Sequence, residues 1–476
     1  LTLIQQQNSL LKNNAMLHKL EVKKMDTSKV NINELIDKAS FTSFHWKVLI
    51  WCLLIIIFDG YDLVIYGVAL PLLMQQWSLT AVEAGLLASA ALFGMMFGAM
   101  IFGTLSDKLG RKKTILICVT LFSGFTFMGA FAKGPTEFAI LRFIAGLGIG
   151  GVMPNVVALM TEYAPKKIRS TLVAIMFSGY AIGGMTSALL GAWLVKDMGW
   201  QIMFLIAGIP LLLLPLIWKF LPESLAFLVK SNHSEQAKGI VSKIAPQTQV
   251  NANTQLVLNE STTTDAPVRA LFQQGRTFST FMFWIAFFMC LLMVYALGSW
   301  LPKLMLQAGY SLGASMLFLF ALNIGGMVGA IGGGALADRF HLKPVITIMF
   351  IVGSAALILL GINSPQFILY SLIAIAGAAT IGSQILLYTF VAQFYPTALR
   401  STGMGWASGI GRIGAIIGPV LTGALLTLEL PHQMNFLAIA IPGVIAALAI
   451  FMVNLKASVA AQTPSTFNPQ NTLTQQ

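Results

Sequence analysis

Apolar residues run along this chain in twelve blocks, each near the roughly 20 residues that a helix needs to cross a bilayer. They cover about 47–73, 85–105, 114–132, 137–160, 171–195 and 200–221, then 278–301, 314–336, 344–361, 366–392, 402–426 and 433–454. Between the sixth and seventh lies a polar stretch, 222–277, rich in Ser, Thr, Asn and Gln. The pattern predicts an all-α membrane protein of twelve transmembrane helices, here called spans 1–12, in two six-helix halves, 47–221 and 278–455. Segment 1–46 precedes them, 222–277 joins them, and 456–476 is expected to be a disordered tail. The first block is too long for a signal-peptide core and lacks a small-residue cleavage site, so it reads as a retained span. The chain starts at Leu1, while Met25 opens a more ordinary beginning. Residues 1–24 therefore read as an upstream extension of the reading frame.

Composition removes whole classes of function. Hydrophobic residues make up 57% and charged residues 10%, against about 25% charged in a soluble domain. With a mean hydropathy of +0.79, a soluble enzyme or scaffold could not cover its surface. The net charge of +12 does not point to nucleic acid, because the cations sit in short loops between apolar blocks. Lys133, Lys196 and Lys303 fall on one side, Arg142 and Arg412 lie inside spans, and the other Lys and Arg fall on the opposite side. The positive-inside rule then puts both termini and the central loop in the cytoplasm. Cys52, Cys118 and Cys290 each lie in an apolar block and form no disulfide or metal spacing. The five histidines, in tails, loops or span edges, do not cluster. No metal site, cofactor or catalytic pairing is expected.

The two halves carry an internal repeat. After span 2 the chain reads Gly103-Thr-Leu105-Ser-Asp107-Lys108-Leu-Gly110-Arg111-Lys112, and after span 8 Gly334-Ala-Leu336-Ala-Asp338-Arg339-Phe-His-Leu-Lys343. A second pair ends spans 4 and 10: Glu162-Tyr-Ala-Pro165 with Arg169-Ser170-Thr171, and Gln393-Phe-Tyr-Pro396 with Arg400-Ser401-Thr402. Both pairs are separated by the same 231 residues. Two blocks at one offset identify two homologous halves.

Paired six-span halves and this loop motif resemble the major facilitator superfamily over about residues 45–455. The resemblance implies a rocking transporter with its substrate site between the halves near mid-bilayer. It also implies gate roles for Gly103, Asp107, Gly110, Arg111, Glu162 and Arg169, and for Asp338, Arg339 and Arg400 in the second copy. Asp107 would latch the cytoplasmic end onto the positive N-terminus of span 11, expected near Thr402. Arg111 would pair with Glu162, and Gly103 and Gly110 would permit a tight turn and close approach. Gln393 in place of Glu162, and no glycine matching Gly110, predict a weaker second latch.

Span 1 holds Phe58-Asp59-Gly60-Tyr61-Asp62. An ionisable residue at such depth costs roughly 2.5–3.5 kcal/mol to insert. Asp59 and Asp62 share a helix face, where both cannot ionise easily, which is the chemistry of a proton carrier. Both could instead serve structural pairing with a base. Arg412 falls near the middle of span 11 with no acid nearby in sequence, so it is the leading ligand for an anionic substrate. Arg142 in span 4 is the second candidate, unless it snorkels outward. Tyr295, Ser299, Trp300, Asn323, Gln384 and Tyr388 complete a set able to surround a flat ring, to which the family motifs quoted below add Tyr66 and Asn155. Gly146-Leu-Gly148-Ile-Gly-Gly151 matches a dinucleotide fingerprint but lacks its strand. It reads as close helix packing, as do Gly179/Gly183, Gly325/Gly329 and Gly405/Gly409.

Several of these runs narrow the resemblance. Asp59-Gly-Tyr-Asp62 with Tyr66-Gly67 and Pro71, Arg142 with Gly151-Val-Met-Pro154-Asn155, and Gly411-Arg412-Ile-Gly414 with Gly418-Pro419 are similar to the aromatic acid:proton symporter family. The span 1 run most resembles its benzoate transporters. Pro222-Glu223-Ser224 is shared with sugar porters, and span 5 lacks the Gly-Pro motif of drug antiporters. The resemblance implies proton-coupled uptake of a small aromatic carboxylate, most simply benzoate, across a bacterial inner membrane. Its partners would be the acid anion, protons and lipid. Carriers of hydroxybenzoate, protocatechuate, vanillate, muconate or a sugar, and a ligand sensor that does not transport, are the competing readings.

Overall fold

The structure is a computed structural model that describes residues 29–244, 254–257, 268–362 and 364–455. The expectations for 1–24 and for the 456–476 tail lie outside these residues. Among the described residues, twelve helices are long and apolar enough to cross a membrane. Spans 1–6 are Ser43–Gln76, Ala81–Leu109, Arg111–Gly129, Pro135–Tyr163, Arg169–Met198 and Gln201–Phe220. Spans 7–12 are Thr277–Gln307, Leu312–Phe340, Leu342–Leu359, Gln366–Phe394, Thr397–Leu426 and His432–Met452. Most extend a turn beyond the apolar blocks because polar caps carry the helix past the hydrocarbon. At span 2, Thr80 Oγ1 accepts from the Glu83 N–H at 3.3 Å and Glu83 Oε2 accepts from the Thr80 N–H at 2.9 Å, a reciprocal cap.

Turn chemistry shows how far the repeat extends into backbone. Spans 2 and 3 are joined by Gly110 alone, at φ +91°. The matching joint between spans 8 and 9 is His341, at φ +67°. The second half thus makes the same left-handed joint without a glycine, at some steric cost.

Glycines set the close packing within each half. A Cβ at Gly148 would stand 2.6 Å from Phe122 N, and one at Gly151 2.6 Å from Phe102 Cβ. Gly325 and Gly329 pack likewise on Ala374 and Ala378 of span 10. Span 10 then makes one π-turn over Ala378–Gly382, and span 6 is interrupted at Ala207–Gly208. Large side chains such as Leu212, Trp193 and Phe367 point outward and exposed, as lipid-facing residues do.

A small cap covers the end of the bundle that carries the loop motifs. Strand β1, Lys29–Asn31, pairs in parallel with β2, Gln255–Val257, with Val30 opposite Leu256. The helix Ile32–Lys38 follows, capped by Asn31. Helices Leu225–Lys230 and Ser234–Ile244 lie beneath, and Ile32, Ile36, Leu228 and Val241 join the core. The sequence pattern predicts polar loop for the 222–277 part of this cap and no element for the part before span 1. Three-residue strands and helices of 6 to 11 residues carry too little periodicity to stand out.

The halves meet tightly at the far end from the motifs. A Cβ at Gly85 would stand 2.9 Å from Val420 Cα, and one at Gly423 2.9 Å from the Ala81 carbonyl carbon. Ser89 Oγ donates to Ile416 O at 2.6 Å. Spans 5 and 8 close similarly, with Gly184 against Asn323 and Gly191 against Met316. At the motif end the faces of Gly405 and Gly409 on span 11, and Gly103 on span 2, have nothing within 4 Å of a Cβ position.

Candidate functional site

The two acids of span 1 are held differently. Asp62 forms a buried ion pair with Arg142: Nη1 donates to both carboxylate oxygens at 3.0 Å, and Nη2 to the Asp62 carbonyl at 3.3 Å. Arg142 Nη1 also donates to Thr126 Oγ1 at 3.3 Å. The side chains are 3% and 1% exposed, so Arg142 does not snorkel. The pair lies wholly within the first half, and it occupies the guanidinium that was the second candidate for substrate.

Asp59, one turn earlier, is fully buried. Tyr180 of span 5 donates its hydroxyl to Asp59 Oδ2. Asp59 Oδ1 has no hydrogen-bond partner among the described residues. Gly60 brings the helices together here, since a Cβ would stand 2.7 Å from Tyr180 Cα. Arg412 reaches this place from the other half. Its guanidinium lies within electrostatic range of Asp59, Tyr180, Tyr295 and Tyr388 and contacts Met95 Sδ at 4.0 Å. No ion pair to Arg412 within 4 Å forms among the described residues. Tyr388 is positioned by its ring, edge-on to Phe287 with centroids 5.0 Å apart, and by a 2.9 Å bond between its hydroxyl and Ser408 Oγ.

The other expected ring contacts divide from these. Tyr66 donates to Ala84 O at 2.5 Å, Trp300 Nε1 to Pro419 O at 2.9 Å, and Asn323 Nδ2 to Leu319 O at 2.8 Å. Asn155 Nδ2 donates to Gly151 O and Phe102 O. Tyr66, Trp300 and Asn155 tie helices through backbone carbonyls, and Asn323 bonds back to its own helix. Gln384 is half-buried on span 10. The residues brought together are Asp59, Tyr180, Tyr295, Tyr388 and Arg412.

At the motif end Arg111 Nε meets Glu162 Oε1 at 2.7 Å. Glu223 accepts from the Lys112 and Ser224 N–H groups at 3.0 and 2.9 Å. Its carboxyl carbon would stand 2.7 Å from a Cβ at Gly110, so this glycine serves both turn and approach. Gly103 does neither: it lies inside span 2 facing open space. Asp107 is exposed and makes no ion pair or hydrogen bond among the described residues. The apolar part of span 11 begins at Thr402 as expected, on a helix that starts at Thr397, but the expected latch to it is not made here. The far end explains why. There span 2 and span 11 run antiparallel, with Ala81 by Gly423, Gly85 by Pro419 and Ser89 by Ile416. Continuing that register would bring Gly103 to Thr402 and Asp107 to the first turn of span 11, but the helices splay before reaching it. The same splay leaves Gly405 and Gly409 unpacked, contrary to expectation. Arg169 is held by Asp37 Oδ1 at 2.6 Å. In the second copy Asp338, Arg339 and Arg400 are exposed, with Arg339 over the Phe340 ring at 5.3 Å.

The family model for the Major Facilitator Superfamily matches residues 52–408 and 324–474. The chain belongs to this superfamily. The fold agrees: a solved inward-open xylose transporter from Escherichia coli superposes with a TM-score of 0.70 at 18% identity, covering 86% of this chain and 96% of that one. A benzoate transport protein of Acinetobacter baylyi is 55% identical over 89% of this chain and 93% of its own length. A gallate transporter of Pseudomonas putida is 37% identical over 88% and 94%. The 4-hydroxybenzoate transporter PcaK of Acinetobacter baylyi is 35% identical over 90% and 95%. This superfamily member is a multi-pass membrane transporter and not an enzyme.

Sequence reasoning missed three partners in this transporter. Tyr180 is a lone tyrosine in span 5, and only its depth could have marked it. Asp37 lies in the segment that precedes span 1, which was given no role, and Glu223 in a motif set aside as undiscriminating. All three act on groups far away in sequence, and no local spacing encodes such contacts.

Proposed function

We propose that this transporter carries a small aromatic carboxylate, with benzoate the leading substrate, together with a proton, inward across the bacterial inner membrane by alternating access. The observation that carries this reading is that Arg412 of one half lies within electrostatic range of Asp59 in the other, and of Tyr180, Tyr295 and Tyr388, with Tyr180 bonded to Asp59. Arg412 supplies a planar pair of donors for a carboxylate, and the aromatic side chains suit a flat apolar ring. The similarity to transporters named for benzoate, gallate and 4-hydroxybenzoate supports the same substrate class.

Charge bookkeeping requires a coupling ion. An aromatic acid is an anion at neutral pH, and moving one charge against 100 mV costs about 2.3 kcal/mol. One proton makes the cycle electroneutral. Asp62 is already neutralised by Arg142, whereas Asp59 lacks an ion-pair partner within its half and has a bare oxygen, so Asp59 is assigned the proton. The distribution of Lys and Arg places the motif end and both termini in the cytoplasm, and the open faces of Gly405 and Gly409 then look inward. Arg111, Glu162, Asp107, Gly110 and Arg169 are assigned to the cytoplasmic gate, with Asp338, Arg339 and Arg400 as its weaker counterpart.

Proteoliposomes with an imposed pH gradient test the reading. Labelled benzoate should accumulate and its neutral amide should not. Asp59→Asn should abolish accumulation while leaving exchange of internal for external benzoate. Gradient-driven accumulation by both Asp59→Asn and Asp62→Asn would put the proton elsewhere, and failure of wild type to move any aromatic acid would remove the substrate class.

A further inference from the structure

The carboxylate of Asp59 is held on one side only. It is fully buried, its Oδ2 accepts the Tyr180 hydroxyl of span 5, and its Oδ1 has no hydrogen-bond partner among the described residues. Asp62 on the same helix, Cys118 of span 3, Tyr295 of span 7 and Arg412 of span 11 lie within electrostatic range of it. Among these described groups Tyr180 alone bonds to it.

Packing fixes that bond. A Cβ at Gly60, the residue after Asp59, would stand 2.7 Å from Tyr180 Cα, and one at Gly183 would stand 2.6 Å from Tyr61 N. A glycine on each helix thus lets spans 1 and 5 touch by their backbones. The Tyr180 ring stacks on Phe177, with centroids 6.4 Å apart and planes at 15°. Spans 1 and 5 belong to the same half, so the bond travels with that half when the two rock. Arg412 belongs to the other half, and its distance changes. A buried carboxylate is costly to ionise unless it is hydrogen-bonded, and a donor to the charged form favours that form. Tyr180 therefore supports ionised Asp59 throughout the cycle, and Arg412 only in part of it. Net uptake needs that support. If the empty carrier returned with the proton still bound, no proton would cross and the gradient could not drive the substrate.

Resting on the function proposed above, we propose that Tyr180 is a positioning residue for proton coupling: it holds Asp59 Oδ2, leaves Oδ1 as the oxygen that takes the proton, and lets the carboxylate release that proton before the empty carrier returns.

The test uses labelled benzoate in proteoliposomes of wild type, Tyr180→Phe, Asp59→Asn and the double variant. Internal and external pH are moved together at a fixed gradient. Tyr180→Phe keeps the ring and removes the donor. Its exchange of internal for external benzoate should stay within a few-fold of wild type, while the pH optimum of its gradient-driven uptake should move alkaline by about one pH unit. In the double variant exchange should equal that of Asp59→Asn alone, because Tyr180 acts through Asp59. Should Tyr180→Phe fail to fold, a fluorinated tyrosine at Tyr180 decides: its more acidic hydroxyl donates more strongly and should move the optimum the other way. An optimum unmoved in the folded variant overturns the inference and leaves the proposed function standing. So does a further tenfold loss of exchange in the double variant, which would put the Tyr180 hydroxyl on the substrate. A wild type that moves no aromatic acid removes the function and the inference together.

Discussion

Asp59 and Asp62 stand one turn apart on the same helix, and each sits near an arginine, yet the structure uses them oppositely. Asp62 is paired at 3.0 Å with Arg142 inside one half, and Arg142 also donates to Thr126 and to the Asp62 carbonyl. Asp59 takes one hydroxyl from its own half and faces Arg412 from the other. A pair confined to one rigid half keeps its geometry whatever the halves do. A pair of charges divided between halves changes its distance when they rock, so only the second can link protonation to movement. The comparison separates a structural ion pair from the proposed coupling site by where its members are anchored, and not by residue type.

The sharpest way to break this comparison is to remove Arg142. Losing one member of a buried pair leaves an uncompensated charge and costs about 3–5 kcal/mol. Arg142→Ala should therefore lower the melting temperature in detergent and the folded yield more than loss of Arg412, Asp107 or Asp37 does. Asp62→Asn combined with Arg142→Gln, which removes both charges, should recover much of the loss. A stable Arg142→Ala protein with impaired binding would mean that Arg142 belongs to the substrate after all.

Arg412 should respond in the opposite way. A bond from it to the substrate carboxylate, as proposed, would contribute roughly 1.5–3 kcal/mol, so Arg412→Ala should weaken benzoate binding about tenfold to a hundredfold, measured by calorimetry, with little change in melting temperature. Arg412→Lys should fall between, because an ammonium cannot copy the two parallel donors. A large stability loss without a binding loss would make the cross-half contact structural and erase its difference from the Asp62 pair.

Most of the architecture was legible in the sequence because lipid imposes a strong, local signal. Twelve apolar blocks and the 231-residue offset gave spans, halves and the loop motifs within a few residues. Asp59, Asp62, Arg142 and Arg412 were legible because charge inside a span is costly enough to need a reason. Which acid met which arginine was not legible, because 80 residues separate Asp62 from Arg142 and packing alone chooses the partner. Trp300 and Asn155 misled for the same reason: a polar atom at mid-span announces a hydrogen bond but not whether backbone or substrate receives it. The open faces of Gly405 and Gly409 belong to one conformation of two halves, and no sequence pattern specifies which conformation is seen.

The open motif end gives a third, smaller effect. Asp107 lies far along span 2 from Arg412 and is exposed, so it contributes nothing to the ligand site in this state. Asp107→Asn should slow uptake several-fold through the return of the halves, while benzoate affinity stays within a few-fold of wild type. A large loss of binding in a folded Asp107→Asn protein would tie this end of span 2 to the Arg412 neighbourhood directly.

The smallest effect comes from an ion pair shorter than Asp62–Arg142 but far more exposed. Asp37 and Arg169 approach to 2.6 Å, closer than the buried pair, but their side chains are 35% and 34% exposed. Water and salt screen such a pair, and its worth is typically about 0–1 kcal/mol. Arg169 also donates through Nε to Ala164 O at 3.1 Å, so part of its anchoring survives the loss of Asp37. Asp37→Ala should therefore shift the melting temperature only slightly, and that shift should shrink further in high salt. Measured beside Arg142→Ala, it asks whether burial or distance sets the strength of these contacts. If Asp37→Ala destabilised the protein as much as Arg142→Ala, distance would be the controlling variable, and the contrast between the structural pair and the coupling site would have to be rebuilt on geometry alone.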